Sequence, residues 1–123
     1  MLTEAQVLTA LRDCYDPELR CNIVDLGLIR SIAIAPDTDA PGTGIPGVPQ
    51  KHIVHIELIL TNPNEAAEAQ TRAQIANRLA GIEAVSQTTV AILSTPKWSP
   101  NHITSNGRKL LGLDVNPGLI QIL

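Results

Sequence analysis

At 123 residues the chain is one domain by size, long enough for a single core and too short for two. Hydrophobic residues make up 44%, which excludes a disordered chain; aromatics are only 2%, with no Phe, so Leu, Ile, Val and Ala must build the core. Few aromatics also argue against single-stranded nucleic acid, which needs stacking platforms, and a net charge of −3 without a Lys/Arg cluster argues against phosphate tracking.

The start, Met1-Leu2-Thr3-Glu4, lacks the basic and apolar regions of a signal peptide, and no apolar run approaches a membrane span. Two cysteines in such a chain are expected to be thiols of a reducing cytoplasm rather than a disulfide.

In chain order, Thr3 with Gln6 forms a capping box, and Leu2 with Val7 forms a hydrophobic staple. Val7, Leu8, Leu11, Cys14 and Tyr15 recur on one face, predicting a first helix over about residues 4 to 15. Pro17 disfavours helix at Asp16, and Asp16-Pro17-Glu18-Leu19 suits a type I turn. Asp25-Leu26-Gly27 predicts a second turn, with Gly27 free to take a positive φ. Leu28 to Ala35 predicts a strand. Pro36 to Gln50 is too rich in Pro and Gly for a packed element, and is expected to be a mobile loop without chemistry of its own.

His52 to Leu60 predicts a strand. Val54, Ile56, Leu58 and Leu60 share one face, with His55 and Glu57 on the other. Asn62, Pro63 and Glu65 suit the N-cap, N1 and N3 positions of a helix that runs to about Ala80 and stops at Gly81 as C′. Its expected buried face is Ala69, Ala73, Ala76 and Ala80, helped by Ile75 and Leu79. Val85 to Leu93 predicts a third strand. Thr95 to Pro100 is a stiff connector bearing Trp98, a short helix is expected within Thr104 to Leu111, ending at Gly112, and Leu119 to Leu123 reads as a terminal extension or edge strand. The order α-β-β-α-β-α predicts a two-layer α+β domain, helices on one face of a small mixed sheet, over residues 1–123 as one unit.

Chemistry-bearing residues are few. Cys14, on the apolar helical face, reads as a small core hydrophobe. Cys21, beside Arg20 and Asn22 in a polar loop, is either an activated thiol able to act as ligand or nucleophile, or a plain surface thiol. The C-x6-C spacing fits no zinc-finger or ferredoxin pattern, and two thiolates are too few for a four-ligand cluster within one chain. Asp16, Glu18 and Asp25 are either hard-metal ligands or turn-capping and solvated acids. His52 and His55 fall on opposite faces of one strand, so they cannot share a metal there. Gly42, Gly44 and Gly47 have no following helix, and no hydrolase, P-loop or dinucleotide motif occurs.

Tyr15-Asp16-Pro17-Glu18 followed by Asn22-Ile23-Val24-Asp25-Leu26-Gly27-Leu28 resembles the signature of the MIP18-like family, which includes SufT-type iron–sulfur assembly proteins and PaaD-type proteins of phenylacetate breakdown. The Leu60-Thr61-x-Pro63 step and Trp98-Ser99-Pro100 resemble the same family. The resemblance implies the iron–sulfur cluster assembly domain fold. It also implies a non-enzymatic carrier or adaptor that matures metal–sulfur proteins, with assembly or client proteins as partners, a homodimer as one arrangement, and neither nucleic acid nor membrane. Where the family typically reads Gly-Cys-Pro after Thr-x-Pro, this chain has Asn64-Glu65-Ala66, so Glu65 stands at the cysteine position. Residues 36–50 are an insertion in a normally tighter hairpin. Two functional readings follow. One is a factor that handles iron or a cluster transiently through Cys21, Asp16 and Glu18, without holding it stably. The other is a metal-free interaction module, such as an accessory protein of a PaaD-like oxygenase system.

Overall fold

A computed structural model describes residues 2–112; the segment Leu119–Leu123 lies outside the described residues. The elements are α1 (Glu4–Leu11), β1 (Ile29–Pro36), β2 (His52–Leu58), α2 (Glu65–Ala80), β3 (Val85–Ile92), a 3-10 turn (Pro100–His102) and α3 (Ser105–Leu110). This is the expected α+β order.

The sheet is mixed. β2 is central, pairing antiparallel with β1 and parallel with β3. A parallel pair needs a crossover, and α2 is that crossover. Val54, Ile56 and Leu58 of β2 are fully buried, while Ile53, His55 and Glu57 on the other face are only half-buried. The core joins these residues to Val7 and Leu11 of α1 and to Ile75 and Leu79 of α2. Ile23, Leu26 and Leu28, from the segment between α1 and β1, complete it. Burying each such side chain stabilises the fold by about 1.5–3 kcal/mol.

The capping box at Thr3 and Gln6 forms as expected. α1, however, ends at Leu11 rather than near Tyr15. The chain tightens there, with Asp13 N–H donating to Ala10 and Cys14 N–H to Leu11. Residues 14–23 then fold back as a narrow antiparallel pair, in which Tyr15 bridges Asn22 and the Ile23 N–H donates to Cys14. Tyr15 is 51% exposed and no part of the core.

The second helix departs from expectation in three ways. Its N-cap is Asn64, whose side chain accepts from the Ala67 N–H, so Glu65 opens the helix and Pro63 precedes it. Its buried line is Thr71, Ile75 and Leu79, while Ala69, Ala73, Ala76 and Ala80 face outward. The wider Ile and Leu side chains win the sheet-facing positions because they remove more apolar area from water. Gly81 is the C-cap itself, with φ −77, rather than a left-handed C′ residue.

The 36–50 loop is a run of turns with its base tied. Asp37 N–H donates to the Lys51 carbonyl, and Gln50 Nε2 donates to the carbonyls of Asp37 and Lys51. Thr43 Oγ1 donates to the Ala40 carbonyl, and Ala40 is buried.

Candidate functional site

The family-like residues gather at one end of the sheet, where β2 and β3 finish. Asp16 is 8% exposed and its carboxylate is fully engaged. Oδ1 accepts from the N–H groups of Glu18 and Leu19, each at 2.9 Å, and Oδ2 accepts from Thr61 Oγ1 at 2.7 Å. The turn is wider than type I: Arg20 N–H reaches back to the Asp16 carbonyl at 3.0 Å, and Arg20 takes φ 54. Glu18 Oε1 accepts from Asn62 Nδ2 at 3.2 Å. The Asp16–Glu18 turn and the Thr61–Asn62 step are thereby joined across 45 and 44 residues of chain.

Next to this junction lies a hollow of about 370 Å³, lined by Thr61, Pro63, Glu68, Leu93, Lys97 and Trp98 among others. Trp98 is half-buried, and its indole N–H donates to the Leu26 carbonyl at 2.6 Å. Glu65 is exposed at the first turn of α2, where a carboxylate is favoured by the helix dipole.

Asp25 is the hub beneath. It is 2% exposed and accepts from Asn22 Nδ2 at 2.8 Å, Thr104 Oγ1 at 2.8 Å and Asn106 Nδ2 at 2.9 Å, with Arg12 Nε at 3.8 Å. Burial alone raises this carboxyl, but the three side-chain hydrogen bonds and Arg12 outweigh it, and its pKa lies below the ordinary 3.8. The Thr104 N–H also donates to the Asp25 backbone carbonyl. Two glycines permit this close seating. A Cβ at Gly107 would sit 2.6 Å from the Asp25 carbonyl oxygen, and one at Gly27, whose φ is +76, would sit 2.0 Å from the His102 carbonyl oxygen. The positive φ expected at Gly27 is present.

The thiols differ from expectation. Cys21 is 1% exposed and packs in the core, so it is not the exposed thiol its polar neighbours suggested. The narrow antiparallel pair turns it inward: its carbonyl accepts from the Asp16 N–H, while Arg20 takes the outer, left-handed position. Burial first, then the charge of Asp25, push its pKa up; a backbone hydrogen bond at Asn22 opposes this and Asp16 adds to it. Cys14 is 2% exposed, as expected of a core hydrophobe, and is raised by burial and Asp13 against Arg78. Among the described residues no group of three or more His, Cys, Asp or Glu is placed to hold a metal ion. Asp16 and Glu18 are brought together with Thr61 and Asn62; Cys21 lies beneath them, and Glu65 stands beyond.

Sequence reasoning missed Gln74, which donates to the Tyr15 carbonyl and accepts from the Tyr15 N–H, both at 3.0 Å, fastening α2 to the turn. It also missed Thr104 and Asn106 as partners of Asp25. Thr104 carries a helix-cap signal, and it does cap α3 through the Gly107 N–H, but its second bond spans 79 residues.

Residues 4–40 match the family described as iron–sulfur cluster assembly protein. The chain is 26% identical over 110 residues to an Fe–S protein maturation auxiliary factor of Porphyromonas gingivalis, covering 89% of this chain and 91% of that protein. Its fold matches a domain of unknown function, DUF59, from Bacillus anthracis, with TM-score 0.67, 21% identity, and 89% and 92% of the two chains covered. It also matches a Mycobacterium tuberculosis protein associated with Fe–S complex assembly and repair, with TM-score 0.51, 27% identity, and 91% and 86% covered. The Asp16-Pro17-Glu18 and Asn22-to-Leu28 segments lie inside the stretch that is similar to the iron–sulfur cluster assembly protein family, and the fold around them is similar to that of DUF59.

Proposed function

We propose that this chain is an auxiliary factor in the maturation of iron–sulfur proteins and that it works as a non-enzymatic adaptor, docking assembly or client proteins at the Asp16–Thr61–Trp98 end of the sheet. The observation that carries the adaptor reading is the state of the thiols. A cluster is held by several thiolates. Cys14 and Cys21 are both buried, and burial raises both pKa values, which favours the protonated thiol. Glu65 presents a carboxylate at the position where the family resemblance places a thiol. These residues do not fit a cluster resident on one copy of this chain.

The junction favours docking for a different reason. The Asp16 carboxylate is consumed by its own turn and by Thr61, so its role is to fix the surface. Glu18, Asn62 and Glu65 remain exposed on that fixed surface, beside the hollow lined by Trp98. Among the described residues no helix is long and apolar enough to cross a membrane, which suits a partner surface facing water.

Deletion of the gene in its host tests the role. The expected result is lowered activity of iron–sulfur enzymes at unchanged enzyme protein level, restored by the wild-type chain and equally by Cys21→Ser. Unchanged iron–sulfur enzyme activity after deletion refutes the maturation role. Rescue by wild type but not by a folded Cys21→Ser chain refutes the adaptor reading and restores the carrier one.

A further inference from the structure

At the opposite end of β2 from the family-like junction lies a second, larger cleft, and nothing in the maturation role requires it. β2 has seven residues, so the two ends are about 20 Å apart. The cleft has a volume of about 760 Å³ and opens between α1, the end of the 36–50 loop and the segment after α2. Leu2, Ala10, Ile82 and Ala84 give it apolar walls. Its size falls within the range of small-molecule sites.

His52 lines this cleft and is 2% exposed. Its Nδ1 lies 3.2 Å from the Ala84 carbonyl oxygen. A carbonyl only accepts, so Nδ1 carries the proton of that bond, and Nε2 of the neutral ring is an acceptor. Nε2 is buried and has no hydrogen-bond partner among the described residues. A buried acceptor left unpaired is destabilising, because it has given up water without gaining a donor.

Several other polar groups lining the cleft are engaged within the chain. Gln6 Oε1 accepts from the Thr3 N–H, Thr9 Oγ1 donates to the Ala5 carbonyl, and Gln50 Nε2 donates to two carbonyls. Arg78 Nε donates to Asp13 Oδ2 at 2.8 Å, an ion pair between two partly exposed side chains at the rim. Among the described residues His52 Nε2 is the buried side-chain polar atom without a partner, and an acceptor beside the apolar walls calls for a donor on a mostly apolar body.

We propose that this cleft is a binding site for a small, mostly apolar molecule carrying a single hydroxyl or N–H donor, which hydrogen-bonds to His52 Nε2. Because Nε2 is closed off from solvent, a lining side chain shifts to admit the donor. The site is independent of the maturation reading and stands or falls separately from it.

Phenol and fluorobenzene are the probes, matched in size and differing in the donor. Each is titrated into the ¹⁵N-labelled full chain while amide and imidazole resonances are followed. Phenol is expected to give saturating shifts at Thr9, Ile82, Ala84 and the His52 imidazole, with affinity roughly tenfold above that of fluorobenzene, the scale of one satisfied buried acceptor. His52→Leu is expected to keep phenol binding but to shrink the preference to under about twofold, since no acceptor remains to be satisfied. Ala5→Trp fills the cleft from the exposed side of α1 without touching His52 and is expected to abolish the shifts, which keeps the test decisive where His52→Leu fails to fold. Absence of saturation by about 10 mM, weaker than any useful affinity, overturns the proposal. Saturating shifts confined to other residues, or equal affinity for the two probes as expected for an acceptor satisfied by a trapped water, overturn it as well.

Discussion

Two long loops leave the same β1 strand, and they are built on opposite plans. Residues 12–28, before it, are fastened by side chains from distant parts of the chain: Thr61 and Asn62 on the Asp16–Glu18 turn, Gln74 on Tyr15, Trp98 on Leu26, and Thr104 with Asn106 on Asp25. Residues 36–50, after it, are tied mostly to themselves and their base, with Ser86 Oγ donating to Asp37 at 2.6 Å as the one side-chain bond to a later strand among the described residues. The first loop also sends Ile23, Leu26 and Leu28 into the core, whereas Ile45 and Val48 of the second stay exposed. The contrast separates a loop that closes the fold from one that only links two strands, although both are rich in turn residues.

Asp25→Ala should give the sharpest break. It removes one acceptor from Asn22, Thr104, Asn106 and Arg12 together, and should lower stability in urea by about 3–5 kcal/mol, as for other broken buried charge networks. The same residue predicts a pH response. Its folded pKa lies below the ordinary 3.8, so the unfolded chain binds the extra proton first. The contribution is fully present well above 3.8 and is lost as pH falls below it through the folded value. The urea midpoint should therefore fall as pH drops below about 4, and Asp25→Asn should flatten that fall, because the linkage rests on the carboxyl.

Alanine placed at a glycine compares the two loops with one substitution. Gly27→Ala meets the His102 carbonyl backbone as well as a positive φ, and should cost about 2–3 kcal/mol by thermal or urea melts. Gly44→Ala has nothing within 4 Å, and only its φ of +81 opposes it, so a loss of about 1 kcal/mol is expected. Replacing residues 38–49 by a short Gly-Ser turn should change stability by less than about 1 kcal/mol, since loop length enters closure only logarithmically. A larger loss there would make the second loop part of the fold's fastening and erase the comparison.

The elements written in local pattern were legible. The Thr3–Gln6 box, the alternation of Val54, Ile56 and Leu58, and the positive φ at Gly27 are decided within a few residues, and the structure has them. Misreadings arose where distant contacts decide. Cys21 has polar neighbours in sequence but is carried inward by pairing with Asp16. The alanines of α2 share a helical face, yet Ile75 and Leu79 take the sheet. At the candidate site, Asp16, Glu18, Thr61 and Trp98 stood out through the family resemblance. Their joining did not, because Thr61 reaches Asp16 across 45 residues and no local pattern encodes that.

The most direct test of the adaptor account is anaerobic reconstitution of the purified chain with iron and sulfide, wild type beside Cys21→Ser, read by iron analysis and visible absorption after desalting. The account predicts that neither protein retains stoichiometric iron. Stoichiometric iron with charge-transfer absorption in the wild type, lost in Cys21→Ser, would contradict it and make the chain a carrier.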